Sequence, residues 1–310
     1  MNDKSSRREF IRFVSSGAAA IGAAVAANTR ELQAAAKRDF KISLAAWSLH
    51  RTIGTGEGKT PMLDLPKLAR QELGIEAIEL VSGMMAGHDQ AYLDELAKNS
   101  AEQKVKTLLI MVDGEGSIGG ASEREREDAV KRHSQWIDAA QYLGCHSIRM
   151  NWTGAPKDVV KKPEELEAFI ARSVDPLRKL CEYGDSKNVN VIIENHGGPS
   201  SYPKPMQQLM QAVNHPRFGT LPDFGNFPDE VDKYQAVDVL MNYAKAVSAK
   251  CYEFDPDTGE ETRLDYGRLI EIVADKHGYH GYIGIEYEGN KHSEFDGVKA
   301  CKKLLEKLRE

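Results

Sequence analysis

Short runs rich in β-branched and apolar residues alternate with longer stretches whose apolar positions recur at helical spacing. The first pattern predicts buried strands, the second amphipathic helices. Strands are predicted over Lys41 to Trp47, Ala77 to Val81, Thr107 to Asp113 and Ser147 to Trp152. Four more follow over Asn190 to His196, Phe218 to Asn226, Ala246 to Phe254 and Tyr282 to Gly289. Between them, helices are predicted over Leu63 to Glu72, Ala91 to Gln103, Glu123 to Tyr142 and Pro163 to Lys187. The last three run over Asp232 to Ala244, Asp265 to His277 and Glu294 to Leu308. Gly74, Gly144 and Gly278 fall where helices end, as C-terminal capping glycines should.

Alternation of this kind specifies parallel strands joined by right-handed helical crossovers. Eight such units between residues 40 and 310 fit one closed (β/α)8 TIM barrel. An open doubly wound sheet is the alternative, but no G-x-G-x-x-G follows the first strand. Barrel active sites gather at the C-terminal ends of the strands. Polar and aromatic residues concentrate there: Trp47, His50, Glu79, Asp113, Arg149, Asn151 and Trp152 in the first half of the chain. Glu194, His196, Asp223, Asn226, Lys250, Tyr252, Glu286 and Glu288 follow in the second.

Residues 1–36 read as a twin-arginine signal peptide with a short linker. Ser6-Arg7-Arg8-Glu9-Phe10-Ile11-Arg12 precedes an Ala/Gly-rich apolar run from Phe13 to Ala27, too short and small-sided for a stable membrane span. Cleavage is expected after Ala26 or near Ala34 to Ala36, giving an exported, periplasmic protein without a membrane span after signal removal. The net charge of −6, with no basic stripe, argues against a nucleic-acid partner. Cys145, Cys181, Cys251 and Cys301 form no C-x-x-C pair and read as buried free thiols. A homo-oligomer is compatible with all of this.

Three acids close three of the predicted strands: Glu194 in Val191-Ile192-Ile193-Glu194, Asp223 in Thr220-Leu221-Pro222-Asp223 and Glu286 in Tyr282-Ile283-Gly284-Ile285-Glu286. A carboxylate ending an apolar strand is costly to bury without a compensating positive charge. A divalent metal such as Mn²⁺ or Mg²⁺ is the simplest compensation, with Glu194, Asp223 and Glu286 as oxygen ligands and His196 or Asn226 completing the set. The alternative is a buried ion network with Lys250 and Arg149.

These residues also carry a resemblance. Ala46-Trp47-Ser48-Leu49-His50-Arg51, Ile193-Glu194-Asn195-His196-Gly197-Gly198, Asp223-Phe224-Gly225-Asn226, Val247-Ser248-Ala249-Lys250 and Gly284-Ile285-Glu286-Tyr287-Glu288-Gly289 make the chain similar to the xylose-isomerase-like barrels, which include sugar phosphate isomerases and epimerases. The likeness spans residues 40–310. It implies a metal held by Glu194, Asp223 and Glu286, and it places Ser248 where the family carries a histidine on the seventh strand.

What the resemblance implies is proton transfer beside a carbonyl through an enediolate, with Glu194 and Glu286 exchanging the proton. Lys250 and His196 are the further catalytic candidates. Trp47, His50, Arg149, Asn151 and Trp152 are expected to bind substrate. The leading expectation is an exported, metal-dependent sugar isomerase or epimerase acting on an unphosphorylated carbohydrate. A lyase acting on 3-keto-glycosides is the nearest alternative, and a non-catalytic carbohydrate-binding barrel comes from a different class. The superfamily's apurinic-site endonucleases need several metal-binding histidines and a basic surface, which this chain lacks.

Overall fold

The computed structural model describes residues 38–310, so the expected signal segment lies outside the described residues. Eight parallel strands form the inner layer: β1 Lys41–Ala45, β2 Ala77–Val81, β3 Lys106–Val112, β4 Ser147–Met150, β5 Asn190–Glu194, β6 Phe218–Leu221, β7 Val247–Cys251 and β8 Tyr282–Tyr287. Their order is β6-β5-β4-β3-β2-β1-β8-β7. The β6 and β7 edges then meet through parallel bridges at Thr220–Ala244 and Asp223–Ser248. Ser248 N donates to Pro222 O at 2.9 Å and Phe224 N to Ser248 O at 3.1 Å across that seam. The barrel is therefore closed, as the alternation predicts.

Eight helices cover it: α1 Leu65–Lys67, α2 Gln90–Gln103, α3 Glu123–Tyr142, α4 Pro163–Lys187, α5 Pro203–Val213, α6 Lys233–Met241, α7 Tyr266–Ile270 and α8 Glu294–Arg309. Helices α1 and α7 run on as π-helical turns over Leu68–Glu72 and Glu271–Lys276. Helix α5 is not among the predicted ones. Pro203 opens its first turn, where the missing N–H has no intrahelical partner to lose. Gly74, Gly144 and Gly278 adopt φ of 61°, 74° and 62°, the left-handed conformation expected after a helix. The four cysteines are free and buried. No helix among the described residues is long and apolar enough to cross a membrane.

Several predicted strands overrun at their C-termini. β6 ends at Leu221 rather than Asn226, and β7 at Cys251 rather than Phe254. The polar residues just beyond bend into turns held by their own side chains; Asp223 Oδ1 accepts from Gly225 N at 2.8 Å and Asn226 N at 2.9 Å. Glu79 corrects the expectation in the other direction. It lies mid-strand in β2, inside the barrel, with its carboxyl against Gly284 of β8. A Cβ at Gly284 would stand 2.5 Å from Glu79 Oε1, so only glycine leaves room for that acid.

Candidate active site

Register brings the acids together. Lys250 pairs with Glu286 and Ser248 with Gly284 between β7 and β8, while Asp223 bridges to Ser248 across the seam. Glu194, Asp223 and Glu286 each present an oxygen within 4.8 Å of the others, and all three are buried. Ser248 Oγ lies 2.7 Å from Asp223 Oδ2 and 2.9 Å from Glu286 Oε2. A hydroxyl has one hydrogen to donate, so both contacts are satisfied together only when one carboxyl carries a proton.

The alternative read from the sequence is present as well. Lys250 Nζ donates to Glu286 Oε1 at 2.9 Å and lies 3.2 Å from Glu288 Oε1. Arg149 Nη1 donates to Asp113 Oδ1 at 2.7 Å, and its Nε stands 2.8 Å from Glu194 Oε2. That last approach makes an ion pair without a directed hydrogen bond: both atoms are buried and neither completes one. Glu194 Oε1 accepts from Asn226 Nδ2 at 2.9 Å.

These surroundings split the carboxyls. Burial, against the pull of Arg149 and with the push of Glu286, raises the Glu194 carboxyl to about 7. Burial likewise lifts Asp223 to about 7 despite Lys250. Burial opposes ionisation of Glu286 too, yet the Lys250 ammonium, with Arg149 and Ser248, holds it below the usual carboxylate range.

The donor set fits a divalent cation. Glu194 Oε2 is a buried oxygen without a hydrogen-bond donor. If all ionise, Glu194, Asp223, Glu286, Asp113 and Glu288 set five negative charges against Arg149 and Lys250. The surplus is met by retained protons or by a hard cation, which favours an all-oxygen donor set.

The other expected residues separate. His196 is exposed and stands outside the group of converging acids, which corrects its place in the expected ligand set. It lines a cavity of about 720 Å³ instead, formed by the loops after β4, β5 and β6. Trp47 stays at the barrel mouth, 37 % exposed, with Nε1 donating to Glu288 Oε1 at 2.6 Å. Its ring stacks on His50 at 5.0 Å. Asn151 Nδ2 donates to Asp113 Oδ1 at 2.7 Å, beside Arg149. Trp152 is a correction: it is buried against Phe169 of α4, with Nε1 bonded to Ser173 Oγ at 2.9 Å, so it belongs to the packing and not to a sugar-binding face. Sequence reasoning missed Ser248 as a clamp between two acids and Glu288 as the link from Trp47 to Lys250. Strand alternation, which puts Ser248, Lys250 and Tyr252 on one face, was the available signal for the first.

The sequence matches the profile of the xylose isomerase-like TIM barrel over residues 67–310. No curated protein matches it. Among solved structures, a xylose isomerase-like TIM barrel protein from Mycobacterium smegmatis in complex with magnesium is 18% identical, with a TM-score of 0.61, covering 87% of this chain and 95% of that one. The 3-keto-D-glucoside 4-epimerase from E. coli is 18% identical with a TM-score of 0.64, covering 87% and 99%. An L-ribulose 3-epimerase is 14% identical with a TM-score of 0.69, covering 87% and 94%. At these identities the likeness establishes the fold.

Proposed function

We propose, for a chain that belongs to the xylose isomerase-like TIM barrel family, that it is an exported, metal-assisted sugar isomerase or epimerase moving a proton beside a carbonyl. The observation that carries this reading is the convergence of Glu194, Asp223 and Glu286 at strand ends, each with an oxygen within 4.8 Å of the others. Two carboxyls set around one reacting centre suit the removal and the return of a proton.

Glu194, Asp223 and Glu286 would hold the cation. When bound, it supplies Lewis-acid polarisation of the carbonyl and neighbouring hydroxyl oxygens. Glu286, kept ionised by Lys250, is the base that takes the carbon-bound proton. Glu194 is the acid that returns one, held in place by Asn226 and Arg149. Proton removal and return balance, leaving an isomer of unchanged mass. Lys250 stands where its ammonium can also stabilise negative charge on the enediolate. Asp223 is fixed by two backbone N–H groups and Ser248, which suits an anchoring role. Trp47 offers an indole face at the mouth for the apolar side of a sugar.

Incubation of the purified protein with free and 3-keto sugars in D₂O, with Mg²⁺ or Mn²⁺ and after chelation, tests the reading. Deuterium should enter a sugar carbon next to a carbonyl, and chelation should suppress it. A cleaved product in place of an isomer would reassign the protein as a lyase. Absence of exchange with every sugar would leave a binding barrel.

A further inference from the structure

A cavity lies beside the acids, and its position says something about substrate length. None of Glu194, Asp223 and Glu286 lines it; Asn226 does, while its Nδ2 also reaches Glu194. A reacting carbon placed between Glu194 and Glu286 therefore has the cavity to one side, past Asn226. From this geometry we propose that the cavity is a subsite for a second, neutral carbohydrate unit, so that the substrate is a glycoside rather than a single free sugar. The proposal rests on the isomerase or epimerase reading and narrows its substrate class.

The lining has the chemistry for such a unit. Phe227 and Tyr202 are half-buried, offering flat apolar surface for the C–H face of a pyranose. Lys157, Lys161, Asp158 and Glu230 are exposed around them and supply donors and acceptors for hydroxyl groups. Two lysines and two acids cancel, and Lys161 already faces Asp158 at 3.9 Å. A phosphate or carboxylate would call for a net positive lining, which this cavity lacks. At about 720 Å³ the space lies within the roughly 300–1,000 Å³ that usually encloses a small organic ligand, which gives a sugar unit ample room. Tyr202 Oη donates to Glu230 Oε1 at 2.6 Å, which joins the wall formed after β5 to the wall formed after β6.

The test measures binding, which needs no turnover. Calorimetric or NMR titration of the purified protein, with Mg²⁺ present, compares cellobiose, maltose and trehalose with glucose and glucose 6-phosphate. At least one disaccharide should bind about tenfold more tightly than glucose, and Phe227→Ala should shrink that ratio about fivefold or more. Phe227→Tyr should retain it, and circular dichroism checks that both variants are folded. Equal affinity for disaccharide and glucose, no detectable disaccharide binding, tighter binding of glucose 6-phosphate, or a ratio untouched by Phe227→Ala each overturns the proposal. The two readings fail separately. Disaccharide preference without deuterium exchange sinks the catalytic assignment alone, and exchange into a free sugar without that preference sinks the subsite alone.

Discussion

Glu286 and Glu79 are buried carboxyls in one barrel, and each meets a serine hydroxyl: Ser248 at 2.9 Å and Ser43 at 2.7 Å. What differs is the next neighbour. Glu286 has the Lys250 ammonium at 2.9 Å and is held below the usual carboxylate range. Glu79 has no ion pair of this kind, and its Oε2 has no hydrogen-bond partner. Burial, only partly offset by Ser43, pushes it up to about 7. A serine bond alone therefore does not keep Glu79 charged; in Glu286 the directly hydrogen-bonded Lys250 ammonium does, whereas Arg149, which completes no hydrogen bond to Glu194, leaves that acid near 7. That distinction separates a group equipped to act as a base from one that fills the space above a glycine.

The widest separation should appear in turnover. Glu286→Gln is expected to lower deuterium exchange about a thousandfold while circular dichroism shows the fold retained. Glu79→Gln should change the same rate by no more than about threefold, since its carboxyl lies below the acids and faces Gly284. Comparable losses in the two variants would break the distinction. Lys250→Met attacks its cause. Lys250 is 1 % exposed, and removing it leaves buried acids without their ammonium, at a cost of about 3–4 kcal/mol in urea unfolding. Mg²⁺ should then restore more stability to Lys250→Met than it adds to the wild type. If added Mg²⁺ acts equally on both, the cation and Lys250 do not share the same acids.

Glu79→Gln makes a pH-dependent prediction. The folded-state value near 7 stands above the ordinary 4.5, so the folded chain binds this proton more tightly than the unfolded one. Its contribution to stability is fully present below about pH 4.5, falls as pH rises toward 7, and is gone above that. The amide carries no charge at any of these values. The variant should match the wild type below about pH 4.5 and gain up to about 3 kcal/mol on it above pH 7. Urea midpoints across that range decide it; a constant difference would mean that Glu79 does not titrate there.

The fold was legible because burial on both faces of each strand writes a continuous apolar run, and the three acids were legible because they interrupt such runs at their ends. What lay beyond was direction and depth. Glu79 looked like another strand-end acid, since one-dimensional alternation does not say how far along the barrel axis a side chain sits. Trp47 and Trp152 both follow a strand, but one stays at the mouth and the other turns into the helix layer against Phe169. His196 follows Glu194 by two residues and was expected on its face, yet the strand ends at Glu194 and the alternation ends with it. The cavity walls come from loops after three strands, where no period marks which residues meet.

The smallest effect probes the serine that bonds Glu79. Ser43→Ala removes the hydrogen bond to Glu79 Oε1, the local interaction that favours its ionised form. The Glu79 carboxyl should move further up, so the wild-type fall in stability should extend to higher pH in the variant. A bond to a neutral acid contributes about 1 kcal/mol and one to a carboxylate about 2. The loss in urea unfolding should therefore be about 1 kcal/mol at pH 5 and should grow above pH 7. Ser248→Ala has no such simple outcome, because that hydroxyl stands between Asp223 and Glu286 and its loss lets both acids rearrange around Lys250. A pH-independent loss in Ser43→Ala would show that Ser43 only fills space and does nothing to favour the ionised form of Glu79 against burial.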